Sequence, residues 1–299
     1  MVKAPVLVIT HTRPKFLTAL LTRLLALGGE RPVYVYVDGP RTDYDHEVFQ
    51  TREVVDTFQS KIRTMKFKFS EVNNGAKWGP INAINWAFEF TERLIILEDD
   101  ILFDNRFIKF CDFYLTCFSN TTDVSHINGF NPCPIGLSSS RPFLSRNFFG
   151  WGWATWLDSW KEFDPLLKQI QDGRQLKSVI KKNGFGTNEL FYKYWEANLK
   201  KCHSNHDCWD YQLSIDSWFR NRRSVMPPSS MTRHLGYGAM STHFKRSPLS
   251  TQNLEKDLWI SQYELDSKQI LPCSLLESPT QEFLVDLFRY GFHTEKSIK

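Results

Sequence analysis

The chain has 299 residues, of which 41% are hydrophobic and 23% are charged, and its formal net charge is +4. This composition is typical of one globular domain, or of a compact core with an added lobe. The small positive charge does not predict a nucleic-acid partner, but it suits an anionic ligand. No apolar run approaches the roughly 20 residues of a membrane span, and the start of the chain lacks the layout of a signal peptide. The sequence therefore predicts a cytoplasmic protein without a membrane span.

Aromatic residues and cysteines are the notable residue types. The chain contains ten tryptophans and six cysteines. Tryptophans of this kind pack in a core or stack on a ligand such as a carbohydrate. Cys202 and Cys208 flank His203 and His206, which raises the question of a zinc site, but their spacing does not match a zinc finger.

Strands and helices alternate in the first half of the chain. The apolar run Pro5–Thr10 predicts a strand that is buried on both faces, and Pro14 opens a helix that Gly28 and Gly29 end. The further predicted elements are a strand at 33–37, a helix at about 45–60, a strand at 65–70, a helix at 80–90, a strand at 94–97 and a helix at 104–118. This alternation predicts an α/β fold with a doubly wound, mostly parallel sheet.

The rhythm changes after residue 130. A segment rich in Pro, Ser and Gly at 131–146 predicts a loop. Helices are predicted at 152–162, 187–201, 209–221 and 280–291, and a flexible loop near 229–243. We therefore divide one compact domain into a first half at 1–130, a second half at 131–248 that contains the mobile loop, and a C-terminal helical extension at 249–299.

Three carboxylates, Glu98, Asp99 and Asp100, follow the buried strand at 94–97. Ligands of open α/β sheets bind at the carboxyl ends of the strands. Mutual repulsion destabilises three neighbouring acids unless a cation is bound, and Mg²⁺ typically uses one or two protein carboxylates together with phosphate oxygens. The cluster therefore points to a metal-bound diphosphate. The alternative is an acidic turn with an aspartate capping the next helix.

Other strand ends of the predicted sheet lie at the same edge. Arg13 follows the first strand, where it can neutralise phosphate, and Asp38 ends the second, where it can accept a hydrogen bond from a base N–H. Asn74 and Lys77 follow the third strand and add donors. A plain turn at Asp38 and a solvated surface charge at Lys77 are the alternatives. Trp151, Trp153 and Trp209 are candidate walls of a sugar site, and core packing explains each of them equally well.

The run Leu97-Glu-Asp-Asp-Ile-Leu-Phe-Asp104 resembles the metal-site strand and helix of the N-acetylglucosaminyltransferase I family. The segment Pro5–Arg13 is similar to that family's first strand and nucleotide loop. More distantly, Phe149–Trp160 and the run Trp209-Asp-Tyr-Gln212 look like parts of bacterial and viral sugar transferases. The resemblance covers roughly residues 5–245 and implies a GT-A fold with an acceptor-side α-rich lobe, a UDP-sugar donor, Mn²⁺ or Mg²⁺, and an inverting mechanism.

The resemblance also implies roles for individual residues. It places Asp100 on the metal, Asp99 near the ribose and Glu98 near the donor-sugar hydroxyls, with Trp151, Gly152 and Trp209 around the same sugar. It places Asp38 by the uracil, with Thr10, His11 and Arg13 along the nucleotide and Asn74 and Lys77 beside them. Asp210 matches the family's catalytic base, although Tyr211 stands where the family has a second acid. The family's mobile loop corresponds to 229–243, in which His243 reaches the metal or diphosphate.

The predicted activity is therefore inverting transfer of a hexose or pentose from a UDP-sugar to a hydroxyl of a glycan acceptor. Residues 1–130 form the nucleotide-sugar half and 131–248 the acceptor-side half. Two alternatives stay open. A sugar-phosphate nucleotidyltransferase shares the sheet and the metal chemistry, but its Gly-rich basic loop is missing after the first strand. The second alternative is a non-catalytic carbohydrate-binding protein, in which aromatic residues bind the sugar and no metal-bound diphosphate is required.

Overall fold

A computed structural model describes residues 3–28, 30–42, 45–133, 141–185, 189–204 and 208–235. His243, the predicted helix at 280–291 and residues 236–243 of the predicted mobile loop lie outside these ranges. None of the described helices is long and apolar enough to cross a bilayer.

The first half of the described chain alternates strands and helices as predicted. Its elements are β1 (Val6–Thr10), α1 (Pro14–Ala26), β2 (Val33–Val37), α2 (His46–Gln59), β3 (Met65–Phe69), α3 (Gly75–Ala87), β4 (Arg93–Glu98), β5 (Ile101–Phe103), α4 (Asn105–Cys117) and β6 (Val124–Asn128).

The second half of the described chain contains four helices and four strands. Its elements are β7 (Phe143–Ser145), β8 (Trp153–Trp156), α5 (Leu157–Lys161), α6 (Gly173–Lys182), α7 (Glu189–His203), α8 (Asp210–Phe219), β9 (Arg223–Met226) and β10 (Thr232–His234).

Eight of these strands form one sheet in the order β3-β2-β1-β4-β8-β6-β9-β7. β1 pairs in parallel with β2 and β4, and β2 pairs in parallel with β3. β8 lies antiparallel between β4 and β6, and β7 lies antiparallel to β9. The remaining two strands, β5 and β10, form a separate antiparallel ribbon. The predicted α/β class with a mostly parallel sheet is confirmed.

Alternate residues of β1 show how the sheet is buried on both faces. Val6 and Val8 pack in one apolar cluster with α1, α2 and α4, whereas Leu7 and Ile9 pack in a second cluster with α3. This division follows from the two-residue period of a strand. Helix α1 buries Leu17, Leu20, Leu21 and Leu24, which recur at helical spacing. Burial of one such leucine stabilises the fold by about 1.5–3 kcal/mol.

Helices α6, α7 and α8 pack around a third apolar cluster. Trp195 of α7 and Trp218 of α8 are fully buried there, and their ring centroids are 4.4 Å apart at an interplanar angle of 75°. This edge-to-face geometry is a favourable one for aromatic pairs. The second half therefore contributes an α-rich lobe beside the sheet.

Several predictions differ from the structure. The loops predicted at 131–146 and 229–243 contain the short strands β7 and β10. The helix predicted at 80–90 begins at Gly75, so Pro80 lies inside it. The helix predicted at 152–162 is wrong for its first turn, because 153–156 form β8 and only Leu157–Lys161 is helical. All four residues of β8 are buried, so the strand shows no polar alternation that would mark it in the sequence. Helix α6 was not predicted at all.

Candidate functional site

The ends of three parallel strands bring the predicted site residues to one edge of the sheet. Thr10 of β1 pairs with Val37 of β2, and Ile9 pairs with Glu98 at the end of β4. Asp38 therefore follows β2 on one side of Thr10, and Asp99 follows β4 on the other. This edge is where open α/β sheets bind ligands.

Asp99 is held by Thr10, the last residue of β1, and by Arg13, which follows the strand. Thr10 Oγ1 donates a hydrogen bond of 2.5 Å to Asp99 Oδ2, and Arg13 Nη1 lies 3.1 Å from Asp99 Oδ1. Arg13 also donates to Asp100 Oδ2 and forms an ion pair with it. Thr10, Arg13, Asp99 and Asp100, all predicted site residues, are thus brought together in one hydrogen-bonded group.

One oxygen of Asp100 has no hydrogen-bond partner among the described residues. The side chain is only 2% exposed, and within that part of the chain its buried Oδ1 accepts no hydrogen bond, while Oδ2 contacts Arg13 and lies 3.4 Å from His234 Nε2. An unsatisfied buried carboxylate oxygen costs free energy. A cation placed at Oδ1 would remove this cost, so the donor chemistry fits a hard divalent ion.

Burial and neighbouring carboxylates raise the pKa of Glu98 and of Asp99. Burial, followed by the charges of Asp100, Asp99 and Asp210, raises the pKa of Glu98 to about 8, against the lowering effect of Arg13. Burial and then Asp100 raise the pKa of Asp99 to about 6, although Arg13 and Thr10 lower it. The single guanidinium of Arg13 therefore does not compensate the negative charge of the group, and a further cation would stabilise its ionised form.

The two-stranded ribbon positions His234 beside the cluster. His234 of β10 pairs with Ile101 of β5, and Leu235 N donates a hydrogen bond of 2.7 Å to Asp100 O. The His234 ring centroid lies 5.2 Å from that of Trp151. Sequence reasoning missed His234 because it concentrated on His243, and only pairing between distant segments brings His234 to Asp100.

Asp38 is surrounded by donors of its own chain. Its buried carboxylate accepts hydrogen bonds from Asn74 N at 3.0 Å, Gly75 N at 3.1 Å, Asn74 Nδ2 at 2.7 Å and Asn73 Nδ2 at 3.2 Å. Two of these donors are backbone N–H groups at the start of α3, so Asp38 acts as a cap from a neighbouring strand. This cap explains why α3 begins five residues before the sequence pattern suggests.

The loop after β2 packs closely on the loop after β3. A Cβ on Gly39 would lie 2.3 Å from the backbone of Val72, so only glycine fits there. His11 Nε2 lies 3.0 Å from Gly39 O and 3.1 Å from Asn73 Nδ2. Burial, and then the charge of Arg41, lowers the pKa of His11. His11 and Asn74 thus lie in the same bonded region as Asp38.

Lys77 and the aromatic residues complete the predicted set. Lys77 Nζ lies 5.5 Å from the ring centroid of Trp78 on the first turns of α3. Trp151 is partly exposed beside His234. Trp209 is 6% exposed and stacks on buried Trp153, with ring centroids 5.7 Å apart at 29°. The sequence left core packing and a sugar-site wall as equal alternatives for these tryptophans. Trp153 and Trp209 pack in the core.

Gly152 fixes the turn that precedes β8. Its φ is +81°, and a Cβ there would lie 2.7 Å from Thr232 Cγ2. Thr232 Oγ1 donates a hydrogen bond of 2.5 Å to Trp151 O. The turn therefore holds Trp151 against the ribbon that carries His234.

Asp210 begins α8 on the lobe side of the site. It is half-buried, and its charge raises the pKa of Glu98. The two carboxylates thus lie within electrostatic range of each other, on opposite halves of the chain. The predicted role of Asp210 as a base stays a prediction. Tyr211, which replaces the family's second acid, contributes its hydroxyl to a 3.1 Å contact with the Tyr194 hydroxyl.

No protein-family model matches the chain, and no curated protein sequence matches it significantly. The resemblance to the N-acetylglucosaminyltransferase I family therefore stays a prediction. Several solved structures are similar to this chain in their backbone.

The mannosyltransferase PcManGT from Pyrobaculum calidifontis, solved with GDP-Man and Mn²⁺, aligns with a TM-score of 0.42 and 12% identity over 78% of this chain. The alignment covers 57% of the mannosyltransferase, a little over half of its length. The galactosyltransferase LgtC, solved with donor and acceptor sugar analogues, gives a TM-score of 0.32 and 14% identity over 77% of this chain and 86% of its own. An active-site mutant of LgtC aligns with a TM-score of 0.33 and 13% identity, over 86% of this chain and 95% of the mutant's chain.

Proposed function

We propose that this protein is a glycosyltransferase of the GT-A type that transfers a sugar from a UDP-sugar to a glycan hydroxyl with a divalent cation. The observation that carries the proposal is the buried Oδ1 of Asp100, which has no hydrogen-bond partner in the described part of the chain and belongs to a carboxylate group at the carboxyl edge of the sheet. A structural acidic turn would satisfy that oxygen with a backbone N–H or a side chain. An oxygen left open in a group with excess negative charge favours a cation.

Mn²⁺ or Mg²⁺ fits the donor set around Asp100. Asp100 Oδ1 is the primary ligand that we propose, with an imidazole from His234 or His243 as a second. No group of three or more Asp, Glu, His or Cys side chains within the described residues could hold a metal by itself. This suits an ion that takes its other ligands from the diphosphate and water. When bound, the cation supplies positive charge that stabilises the leaving diphosphate.

The residues after β1 and β2 would bind the nucleotide. Arg13 carries a charge that can pair with a phosphate as well as with Asp99 and Asp100, and Thr10 fixes Asp99 beside it for contact with the ribose. His11, Asn74 and Lys77 line the same edge. Asp38 already accepts hydrogen bonds from four donors of its own chain. Its proposed contact with uracil therefore depends on the loop that these bonds position as well as on its own oxygens.

The donor sugar would lie between the carboxylate group and the lobe. We place Glu98 at its hydroxyls and Trp151 with Gly152 against its ring, while Trp209 supports that wall from the core. We assign Asp210, at the start of α8, the role of taking the proton of the attacking hydroxyl. A base opposite the leaving diphosphate gives one displacement and an inverted anomer.

Two other functions are less well supported. A nucleotidyltransferase would use the same sheet edge, but the segment Thr10-His-Thr-Arg-Pro14 lacks the Gly-rich loop of that class. A carbohydrate-binding protein without catalysis has no need for an unpartnered carboxylate oxygen beside an arginine. Binding of UDP that requires Mn²⁺ separates this last function from the proposed one.

Calorimetry of UDP binding tests the proposal directly. We expect UDP to bind in the presence of Mn²⁺, to bind more weakly in chelator, and to bind more tightly than GDP. Asp100→Asn should weaken binding by at least about tenfold, because it removes a ligand charge. Asp104→Asn is the matched control, since Asn also caps a helix N-terminus well and Asp104 caps α4. Equal UDP binding by the wild type and Asp100→Asn would refute the metal site.

Product analysis tests the reaction. A panel of UDP-sugars, followed by determination of the product anomer, identifies the donor and the stereochemistry. Transfer from a UDP-sugar with inversion is the expected result. Release of pyrophosphate from UTP and a sugar phosphate would establish the nucleotidyltransferase alternative instead.

A further inference from the structure

Asn128 ends β6 with its side chain fully buried. Its Nδ2 donates hydrogen bonds of 2.9 Å to Asn147 O and of 2.9 Å to Ser224 Oγ, and its Oδ1 accepts one of 3.0 Å from Phe149 N. Ser224 lies on β9, whereas Asn147 and Phe149 lie in the segment between β7 and β8. One amide therefore joins three parts of the chain through both of its ends.

The hydroxyl of Ser224 reinforces the same segment. Ser224 is buried, and its Oγ donates a hydrogen bond of 2.7 Å to Asn147 O, which thus accepts from both Asn128 and Ser224. A buried polar network whose members are bonded to one another rigidifies the backbone that it joins. The backbone at Asn147 is therefore fixed by directional bonds in addition to apolar packing.

The segment that Asn128 holds leads to Trp151, which is partly exposed. Phe130 is buried and packs against Trp151, with ring centroids 4.5 Å apart at 62°. The same Phe130 ring lies 5.4 Å from the ring of Phe149. Because Phe130 follows Asn128 by two positions, the end of β6 holds the backbone of Phe149 and supports the indole of Trp151 at the same time.

The far side of Trp151 is fixed by Gly129. Gly129 N donates a hydrogen bond of 2.8 Å to Gly152 O. A Cβ on Gly129 would lie 2.7 Å from Thr232 Cγ2 and 2.8 Å from Gly152 O, so the backbones approach too closely for any other residue. Trp151 therefore lies between two fixed points, the Asn128 amide before it and the Gly129 contact after it.

We propose that Asn128 is a positioning residue for recognition of the donor sugar, because it fixes the backbone that leads to Trp151 and so sets where the indole meets the sugar ring. This inference rests on the proposed glycosyltransferase function, in which Trp151 borders the donor sugar. Binding of UDP should not depend on Asn128, since we assign that binding to Asp100 and the residues after β1 and β2. A merely structural asparagine would instead affect UDP and UDP-sugar alike.

Fluorine NMR of protein labelled with 5-fluorotryptophan tests the positioning step without reference to activity. Trp151→Phe identifies the Trp151 signal. Asn128→Ala removes three hydrogen bonds, and Ser224→Ala removes only the hydroxyl of the same network, so both should shift or broaden this signal. Asn183→Ala is the matched control, because Asn183 is a buried asparagine of the lobe whose Nδ2 also donates two hydrogen bonds.

The Trp151 signal should be the same in Asn183→Ala as in the wild type. An unchanged Trp151 signal in Asn128→Ala would overturn the proposal. If that variant does not fold, an unchanged signal in Ser224→Ala would overturn it equally, because Ser224 belongs to the network that holds Asn147.

Donor use tests the functional step. The probes are UDP and the best donor among UDP-glucose, UDP-galactose and UDP-N-acetylglucosamine, each with Mn²⁺. Since a misplacement of 1 Å can cost about 10²-fold in rate, kcat/KM for donor hydrolysis should fall by about 10–100-fold in Asn128→Ala, while the Kd of UDP stays within about twofold. Asn183→Ala should retain both values.

Two results would refute the role of Asn128 in sugar recognition, namely unchanged donor hydrolysis in Asn128→Ala and an equal loss of UDP affinity and donor hydrolysis. Failure of the proposed function gives a different result, because the wild type would then bind no UDP with Mn²⁺. The role in sugar recognition would fail with it, and the fluorine signal would still decide whether Asn128 positions Trp151.

Discussion

Asn74 Nδ2 donates a hydrogen bond of 2.7 Å to Asp38 Oδ1, although 36 positions separate the two residues in the chain. Together with the bonds from the backbone N–H groups of Asn74 and Gly75, this contact ties the end of β2 to the start of α3. Asp38 is thus a structural acid as well as a candidate ligand of the base.

The first prediction concerns stability at Asp38. Asp38→Ala leaves several donors at the start of α3 without an acceptor, so the free energy of unfolding should fall by about 2–4 kcal/mol. Urea unfolding measures this change. Asp56→Ala, on the exposed side of α2, should change stability by less than about 0.5 kcal/mol. If the Asp38 variant proves as stable as the control, the hydrogen bonds between Asp38 and α3 do not contribute to the free energy of unfolding.

The second prediction concerns Asp210. Asp210→Asn keeps the size of the side chain and removes the base, so turnover of the UDP-sugar should fall by about 10²–10⁴-fold. The affinity for UDP and Mn²⁺ should change little, because we assign that binding to Asp100 and the residues after β1 and β2. Steady-state kinetics and calorimetry on the same preparations measure both quantities. Full turnover by this variant would remove Asp210 from the mechanism.

The third prediction concerns His234. Its Nε2 lies 3.4 Å from Asp100 Oδ2, so its imidazole either binds the cation or orients Asp100. His234→Ala should weaken Mn²⁺ binding by about 10–100-fold, as read from the electron paramagnetic resonance signal of free Mn²⁺. His46→Ala, at the exposed start of α2, is the control. Unchanged Mn²⁺ affinity in the His234 variant would leave His243 as the only histidine in our proposed ligand set.

The fourth prediction compares two glycines with positive φ. Gly152→Ala creates backbone strain and a clash with Thr232, whereas Gly28, with a φ of +101°, has nothing within 4 Å of an added Cβ. We expect losses of stability of about 3–5 kcal/mol for Gly152→Ala and about 1–2 kcal/mol for Gly28→Ala. Thermal and urea unfolding of both variants measure the difference. Equal losses would mean that the contact with Thr232 relaxes at no cost.

The fifth prediction concerns pH. Burial raises the pKa of Asp216 from 3.8 to about 6, although Arg220 lowers it. Since the folded-state pKa lies above the unfolded one, the folded state binds the proton more tightly. The resulting stability is fully present below pH 4 and is lost as the pH rises through 6, by roughly 2–3 kcal/mol in total.

Asp216→Asn isolates this effect, because Asn does not titrate. The stability of the wild type minus that of the variant should fall between pH 4 and pH 7 in urea unfolding experiments. A difference that stays constant or rises over this interval would show that the ion pair with Arg220 controls the pKa instead of burial.

The first half of the fold could be predicted from the sequence because its elements carry local signals. β1 and β2 are continuous apolar runs, and α1 shows helical spacing of its leucines. β8 could not be predicted, since it is only four residues long, contains the polar Thr155 and leads directly into α5, so it shows neither a continuous apolar run nor a clear strand period. The early start of α3 depends on Asp38, which follows β2 and is distant from α3 in the sequence.

The candidate site could be predicted only where its residues lie at the ends of strands with a local sequence signal. Parallel pairing of β1 with β4 brings four predicted residues to one edge: Thr10 at the end of β1, Arg13 after it, and Asp99 and Asp100 after β4. His234 could not be found in this way, because the antiparallel pairing of β10 with β5 has no counterpart in local sequence. The double role of Asp38 also depends on contacts with distant residues.

The insertion of β8 between β4 and β6 has a consequence for biosynthesis. The ribosome completes β1 to β4 and β6 before it makes β8, which contributes hydrogen bonds to both β4 and β6. Until residue 156 has emerged, the apolar edge of β4 has no partner strand, and unpaired edges of this kind promote aggregation. The nascent chain therefore passes through an interval in which its parallel strands have been synthesised but the edge of β4 is still unpaired. This is the interval in which we expect chaperones to bind the chain.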